Sequence, residues 1–230
     1  VTRYFINFRF NGAKYHGWQV QQNANSVQQT LNHCLSLILD ETVYCIGCGR
    51  TDAGVHAKFF TAHFDLINEI NDYSHFEFKM QSLLPHDIGL LQLNKVKADA
   101  HARFDATARS YEYRIMRKKN PFEYGLATYY YGQLDIDAMK IALQYLNGEK
   151  DYGCFSKTHT QVKTNICNIF AVSLEEIGND IILKITADRF LRNMVRAITG
   201  TLIEIGRGIK TPEDMNEIID RKDRSLAGFS

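Results

Sequence analysis

Polar and apolar residues alternate through "YFINFRF", residues 4–10, which is the two-residue period of a half-buried strand. The period then changes. In "NSVQQTLNHCLSLILD" apolar residues recur at Val27, Leu31, Leu35 and Ile38. That spacing gives one helical face, with Asn25 or Ser26 placed to cap its amino end. Residues 42–46 and 57–65 read as strands on either side of a glycine-containing loop. Residues 76–84 read as a helix stopped by Pro85, and 88–96 as another strand.

The second half of the chain repeats the rhythm. "SYEYRIM" (110–116) is strand-like. "DIDAMKIALQYLNG" (135–148) is helical, capped at Asp135 and ended by Gly148. Residues 166–187 form a hairpin turning at Gly178, Asn179 and Asp180. "DRFLRNMVRAITGTLIEIG" (188–206) predicts one long helix. A last helix covers 211–221, with Thr211 as cap and Pro212 in the first position. Both halves therefore read as β-α-β-β-α. This implies an α+β fold of two related halves, residues 1–105 and 106–230, built on a mainly antiparallel sheet with helices on one face. A cleft between the halves is the expected place for a site.

Composition narrows the class without choosing a function. With 45% hydrophobic and 23% charged residues, the chain is an ordinary globular protein. No stretch approaches the roughly 18 apolar residues of a membrane helix. The first ten residues read as a strand rather than as the apolar core of a signal peptide. Five cysteines at irregular spacing point to reduced thiols and a cytoplasmic setting. The net charge of +1 excludes a global field that would attract a polyanion, so any nucleic-acid contact must come from local patches.

Four stretches carry candidate chemistry. "YCIGCGRTDAGVHAKF" (44–59) sets Arg50 and Asp52 on one short loop between Gly49 and Gly54. Asp52 is either a turn residue or an ionised carboxylate presented as nucleophile, base or electrostatic stabiliser. The stretch lacks both glycine-rich phosphate-binding patterns, and an aspartate inside a phosphate cradle would repel its ligand. Cys45 and Cys48 form a lone C-x-x-C with no second pair, which favours packing over a zinc site. In the predicted long helix Arg189, Arg192 and Arg196 fall in one sector, opposite Leu191, Met194, Val195, Ile198, Leu202 and Ile205. This basic stripe suits either a solvated face or RNA phosphates with one arginine turned to a carboxylate. Residues 101–119 hold six Lys/Arg against two acids, interleaved with Phe104, Tyr111 and Tyr113. That mixture suits nucleic acid or a charged edge strand. Finally, "KYHGWQVQQ" (14–22) places Trp18 in a polar, aromatic loop that either packs or meets a flexible ligand.

In this order the pieces resemble the tRNA pseudouridine synthases of the TruA type. The matching stretches are "YHGWQ" (15–19), "GRTDAGVHA" (49–57), "LPHDI" (84–88), "HARFDATARSYEYRI" (101–115) and "FLRNMVRAITGTLIEIG" (190–206). The resemblance implies that Asp52 is the catalytic aspartate and that Arg50 occupies the place of the extruded nucleotide or steadies the opened stem. It implies that Tyr111 stacks on the target uracil and that Arg196 pairs with the aspartate. It further implies the pseudouridine synthase fold with a central RNA-binding cleft, a homodimer, no metal or organic cofactor, and isomerisation of uridines at nucleotides 38, 39 and 40 of tRNA; the alternatives are a non-catalytic RNA-binding module of the same fold and a synthase acting on other RNA uridines. In relatives the chain continues past the position of Ser230 with an apolar strand near the active site. Arg189 stands where relatives often have glycine.

Overall fold

The computed structural model describes residues 1–157 and 163–229. Its regular elements are β1 (Thr2–Phe10), α1 (Val27–Leu39), β2 (Ile46–Gly47), β3 (Ala57–Leu66), α2 (Tyr73–Leu83) and β4 (Ile88–Val96). They continue as β5 (Arg109–Met116), β6 (Thr128–Tyr129), α3 (Ile136–Gln144), β7 (Gly148–Asp151), β8 (Ile166–Ile177), β9 (Asp180–Ala187), α4 (Met194–Gly206) and α5 (Asp214–Arg221). The chain divides into two compact units, Val1–Ala106 and Thr107–Ser230.

The first unit carries a four-stranded sheet in the order β2-β3-β1-β4, with every pair antiparallel. This is the β-α-β-β-α-β connectivity of ferredoxin-like units. Alternation on β1 and β3 sends Tyr4, Ile6, Phe8, Phe60, Ala62 and Phe64 into one core. Both helices cover that same face, through Val27, Leu31 and Leu35 of α1 and Phe76 and Met80 of α2. The second unit carries a five-stranded sheet in the order β6-β5-β9-β8-β7. It is antiparallel except for the two-residue β5–β6 pair. Its core gathers Ile181, Leu183 and Ile185 of β9 with Met139 and Leu143 of α3, Ile198 and Leu202 of α4, and Met215 of α5. The α+β class and the mainly antiparallel pairing are as the periodicity implied. The chain's order of elements places β9 between β5 and β8, so the two units do not share one strand order.

Several boundaries differ from the periodicity, each for a local reason. Residues 42–45 are not a strand. Side chains of α1 take their backbone donors: Ser36 Oγ accepts the Val43 N–H at 2.9 Å and Asn32 Oδ1 the Cys45 N–H at 2.9 Å. Helix α2 starts earlier than expected because Asp72 caps it, accepting the His75 N–H at 2.9 Å. Helix α3 stops at Gln144, and Gly148, expected to end the helix, instead opens the polar strand β7, which the periodicity did not predict. Helix α4 begins six residues late. Asp188 instead bends the chain, its Oδ1 accepting the N–H groups of Asn168 at 2.8 Å and Arg189 at 2.6 Å. Asn193 adds a left-handed residue, φ 71°. Helix α5 begins at Asp214 rather than at Pro212, and the Asp214 carboxylate accepts the Thr211 N–H at 2.6 Å. In the hairpin the turn itself is Gly178-Asn179, and Asp180 already belongs to β9, opposite Ile177.

A buried histidine ties the end of the first unit to its sheet. His63 of β3 is 2% exposed. Its Nδ1 accepts the Ala102 N–H at 3.1 Å, and its ring meets His101 edge-on at 4.5 Å. Burial first, then the His101 and Arg3 charges, push its pKa down to about 4, against smaller opposing effects of Asp65 and Asp105. An unfolded histidine titrates near 6.5. Between those values the unfolded chain binds a proton that the folded chain refuses, so stability falls as pH drops from about 6.5 to about 4. Thermal unfolding followed across this range should show a declining midpoint. His63→Asn, which keeps an acceptor for Ala102 without titrating, should flatten the decline; an unchanged slope would contradict this role.

Candidate functional site

The loop holding Arg50 and Asp52 is supported by backbone contacts from a second loop, residues 12–18. Trp18 donates its N–H to Thr51 O at 3.3 Å, and Gly54 donates to Tyr15 O at 3.2 Å. Gly12 donates to His56 Nδ1 at 3.0 Å. The two loops lie too close for side chains. A Cβ on Gly12 would sit 2.0 Å from Val55 O, and one on Gly17, where φ is +90°, would sit 2.3 Å from Thr51 O. Within the Arg50–Asp52 loop itself Val55 donates to Asp52 O at 3.2 Å, closing a turn whose third residue, Gly54, has φ +76°. That is the backbone of a type II turn. Gly49, expected to bound the turn, has neither a positive φ nor a close neighbour.

The supporting loop is anchored in turn. Val27 and Gln28, the first residues of α1, donate their N–H groups to Gly17 O at 3.2 Å and Trp18 O at 3.0 Å. Ser26 Oγ accepts the next free donor, Gln29 N–H, at 3.2 Å. Helix α1 thereby satisfies its unpaired amino-terminal donors on the loop that braces the Asp52 turn. The Tyr15 hydroxyl donates to Asp87 Oδ1 at 2.6 Å, and Asn11 donates to Asp87 O at 2.8 Å. Burial, reinforced by Asp87, pushes the Tyr15 phenol far up. Trp18 is 3% exposed and packs on Phe60 at 4.7 Å between ring centroids. Of the two readings of the 14–22 stretch, Trp18 follows packing. Arg50 and Asp52, by contrast, are both exposed at the tip of this braced turn. Cys45 is buried in the core with its thiol pushed up by burial, and Cys48 packs at the core's edge.

In the second unit Tyr111 lies on β5 opposite Ile185. Its ring is held edge-to-face by Phe190, 5.0 Å away at 84°. Arg109 secures the turn that carries Phe190, donating to Asp188 O at 2.7 Å. Arg196 is exposed in the first turn of α4. A cation there adds to the positive end of the helix dipole, so this is a place that favours an anion nearby. The expected stripe of three arginines on one helix is corrected: Arg189 and Arg192 precede α4, and only Arg196 is helical.

Most cations of the 101–119 segment are engaged within the protein. Arg114 pairs with Asp180, at 2.7 Å through Nε, and with Glu123. Arg117 pairs with Glu176 at 2.9 Å. Lys119 lies over the Tyr129 ring at 5.6 Å and Arg103 over Phe104 at 5.8 Å. Arg114 and Arg117 are thus neutralised by carboxylates outside the segment, while the ring contacts leave the charges of Lys119 and Arg103 in place. His101 and Asp105 close their own turn: the His101 N–H donates to the Asp105 carboxylate at 2.7 Å.

The residues that sequence reasoning passed over as site components are Gly12, Gly17, Tyr15, His56 and Asp87. The signal was available in the glycines of two polar loops, but only the fold shows that they face one another. Thr51 is also new. Its Oγ1 is buried and has no hydrogen-bond partner among the described residues, an uncommon state for a buried hydroxyl.

Two substitutions across this loop contact should behave oppositely in urea unfolding. Gly17→Ala, strained in φ and overlapping Thr51 O, should cost about 1–3 kcal/mol. Thr51→Val removes an unpartnered hydroxyl at constant shape and should leave stability unchanged or raise it. Equal losses in both would contradict the contact described.

Among the described residues no helix is long and apolar enough to cross a membrane. Residues 142–229 match the family model described as tRNA pseudouridine synthase. The chain is 45% identical to tRNA pseudouridine synthase A of Parabacteroides distasonis, over 100% of this chain and 91% of that protein. It is 48% identical to tRNA pseudouridine synthase A of Bacteroides thetaiotaomicron, over 100% and 86%. At greater distance it is 36% identical to tRNA pseudouridine synthase A 2 of Clostridium perfringens, over 97% and 92%.

Proposed function

The chain belongs to the tRNA pseudouridine synthase A family, and from that premise we propose that it isomerises uridine to pseudouridine in the anticodon arm of tRNA, at nucleotides 38, 39 and 40. The observation that carries the reading is the braced turn that presents Arg50 and Asp52. The reaction breaks the C1′–N1 bond, turns the uracil and rejoins it through C5, with N1 gaining a proton and C5 losing one. A carboxylate serves such chemistry by attack at C1′, by attack at C6 or by removing a sugar proton. Each route needs it ionised and held in one orientation, which a turn fixed by backbone contacts on both sides supports.

The proposal divides the work between the two units, with the catalytic loop in the first and the substrate tyrosine and basic helix in the second. Asp52 is the catalytic residue. The target base lies in a stem or loop, so it must be flipped out. Tyr111, its plane set by Phe190, offers a stacking face that offsets lost base stacking by about 1–3 kcal/mol. Arg50 takes the place of the extruded nucleotide or steadies the opened stem. Arg196, exposed at the start of α4, is a substrate-binding residue. The reaction needs no metal or organic cofactor. The protein acts in the cytoplasm as a homodimer.

Asp52→Asn tests the reading. It keeps the shape of the turn and removes the charge. Release of tritium from tRNA labelled at uracil C5 should fall by more than about 10³-fold, while tRNA affinity stays within a few-fold of wild type. Near wild-type tritium release by this variant would remove Asp52 from the chemistry.

A further inference from the structure

Beside the reactive loop, on the first unit, lies an open cavity of about 450 Å³ lined by Gln19, Val20, Gln28, Gln29, Asn32 and Tyr44. It adjoins the segments already described: Gln19 and Val20 follow Trp18, and Tyr44 leads into β2 and the reactive turn. Two of its amides are structural. Gln28 donates to Cys45 O at 2.7 Å and accepts the Val20 N–H at 2.9 Å, and Asn32 Oδ1 accepts the Cys45 N–H. Gln28 therefore joins the three walls of the cavity, α1, the 44–45 segment and the 19–20 segment, and sets its shape. Tyr44 is 75% exposed although it lies between the buried Val43 and Cys45. Its ring is spared the core and left on the rim.

The lining selects a ligand class. It contains no Lys or Arg for a phosphate and no Asp or Glu for a cation. With Gln28 and the Asn32 oxygen committed within the protein, the side-chain amides of Gln19 and Gln29 supply paired donors and acceptors that suit the edge of a heterocycle, and an exposed phenol ring supplies a stacking face. We propose that this cavity binds a second, unpaired nucleobase of the substrate RNA, separate from the target uridine, with Tyr44 stacking on it and Gln29 and the free amide of Asn32 meeting its edge. Unpaired bases are recognised by this combination of aromatic face and polar side chains. The inference rests on the RNA-modifying reading above. It adds a contact next to the turn that holds Asp52 but outside the reacting atoms.

The test uses the whole protein and a synthetic anticodon stem-loop, in which each loop nucleotide in turn is made abasic. In equilibrium binding Tyr44→Ala should raise Kd about 10-fold, as expected for losing one base stack, and Tyr44→Phe should stay within about twofold. The dependence of affinity on salt should not change, because no phosphate contact is lost. One abasic position should weaken wild type by a similar factor and Tyr44→Ala by no more, which locates the base. Single-turnover tritium release at saturating RNA should be unaffected in Tyr44→Ala. Wild-type affinity in Tyr44→Ala, or additive losses at every abasic position, would overturn the cavity proposal while leaving the function standing. A wild-type protein that neither binds nor modifies the RNA would overturn both.

Discussion

The structure depends on how closely two backbones approach at Gly12 and Gly17. Any side chain there would overlap a carbonyl oxygen of the loop that holds Asp52. With glycine, the 12–18 loop reaches Thr51, Gly54 and His56 by direct hydrogen bonds. The same loop absorbs the unpaired donors at the start of α1, and α1 is packed into the first core through Val27, Leu31 and Leu35. The position of Asp52 is thus referred through a short series of backbone contacts to the most buried part of its unit. A carboxylate on a free loop would lose orientation at each substrate encounter, and misplacement on the scale of 1 Å costs catalysis about 10²-fold.

This chain of support explains why the family's motifs are scattered. "YHGWQ" supplies the bracing loop, "LPHDI" supplies the Asp87 that holds Tyr15 and Asn11, and "GRTDAGVHA" supplies the turn and the His56 acceptor. "HARFD" closes its own turn and docks on the buried His63. Few of these residues would touch RNA. Their role is to make one short segment, Arg50 to Asp52, stiff. In the second unit Asp188 and Arg109 do comparable work, bending the chain ahead of α4 so that Phe190 meets Tyr111.

Strands and helices with a strong apolar period were legible in the sequence: β1, β3, β4, the β8–β9 hairpin and α1 appear where the spacing put them. Failures cluster where side chains capture backbone groups, which periodicity does not register. Asn32 and Ser36 dissolved the expected strand before β2, and Asp188 with Asn193 removed the first six residues of the expected α4. The second of these also broke the arginine stripe. Arg50 and Asp52 were legible as a candidate because two charges stood in a glycine-bounded loop. Gly12, Gly17 and Asp87 were not, since their importance is a matter of which distant segments meet. Gly49 looked essential and is geometrically unconstrained; Gly54 carries the turn.

The central claim is that a uridine is isomerised at a turn made rigid by the rest of its unit. The most direct measurement incubates an unmodified tRNA transcript with the purified protein and maps pseudouridine nucleotide by nucleotide. The account predicts pseudouridine confined to nucleotides 38, 39 and 40 where these are uridine. Pseudouridine elsewhere in the transcript, or an RNA bound but left unmodified, would contradict it.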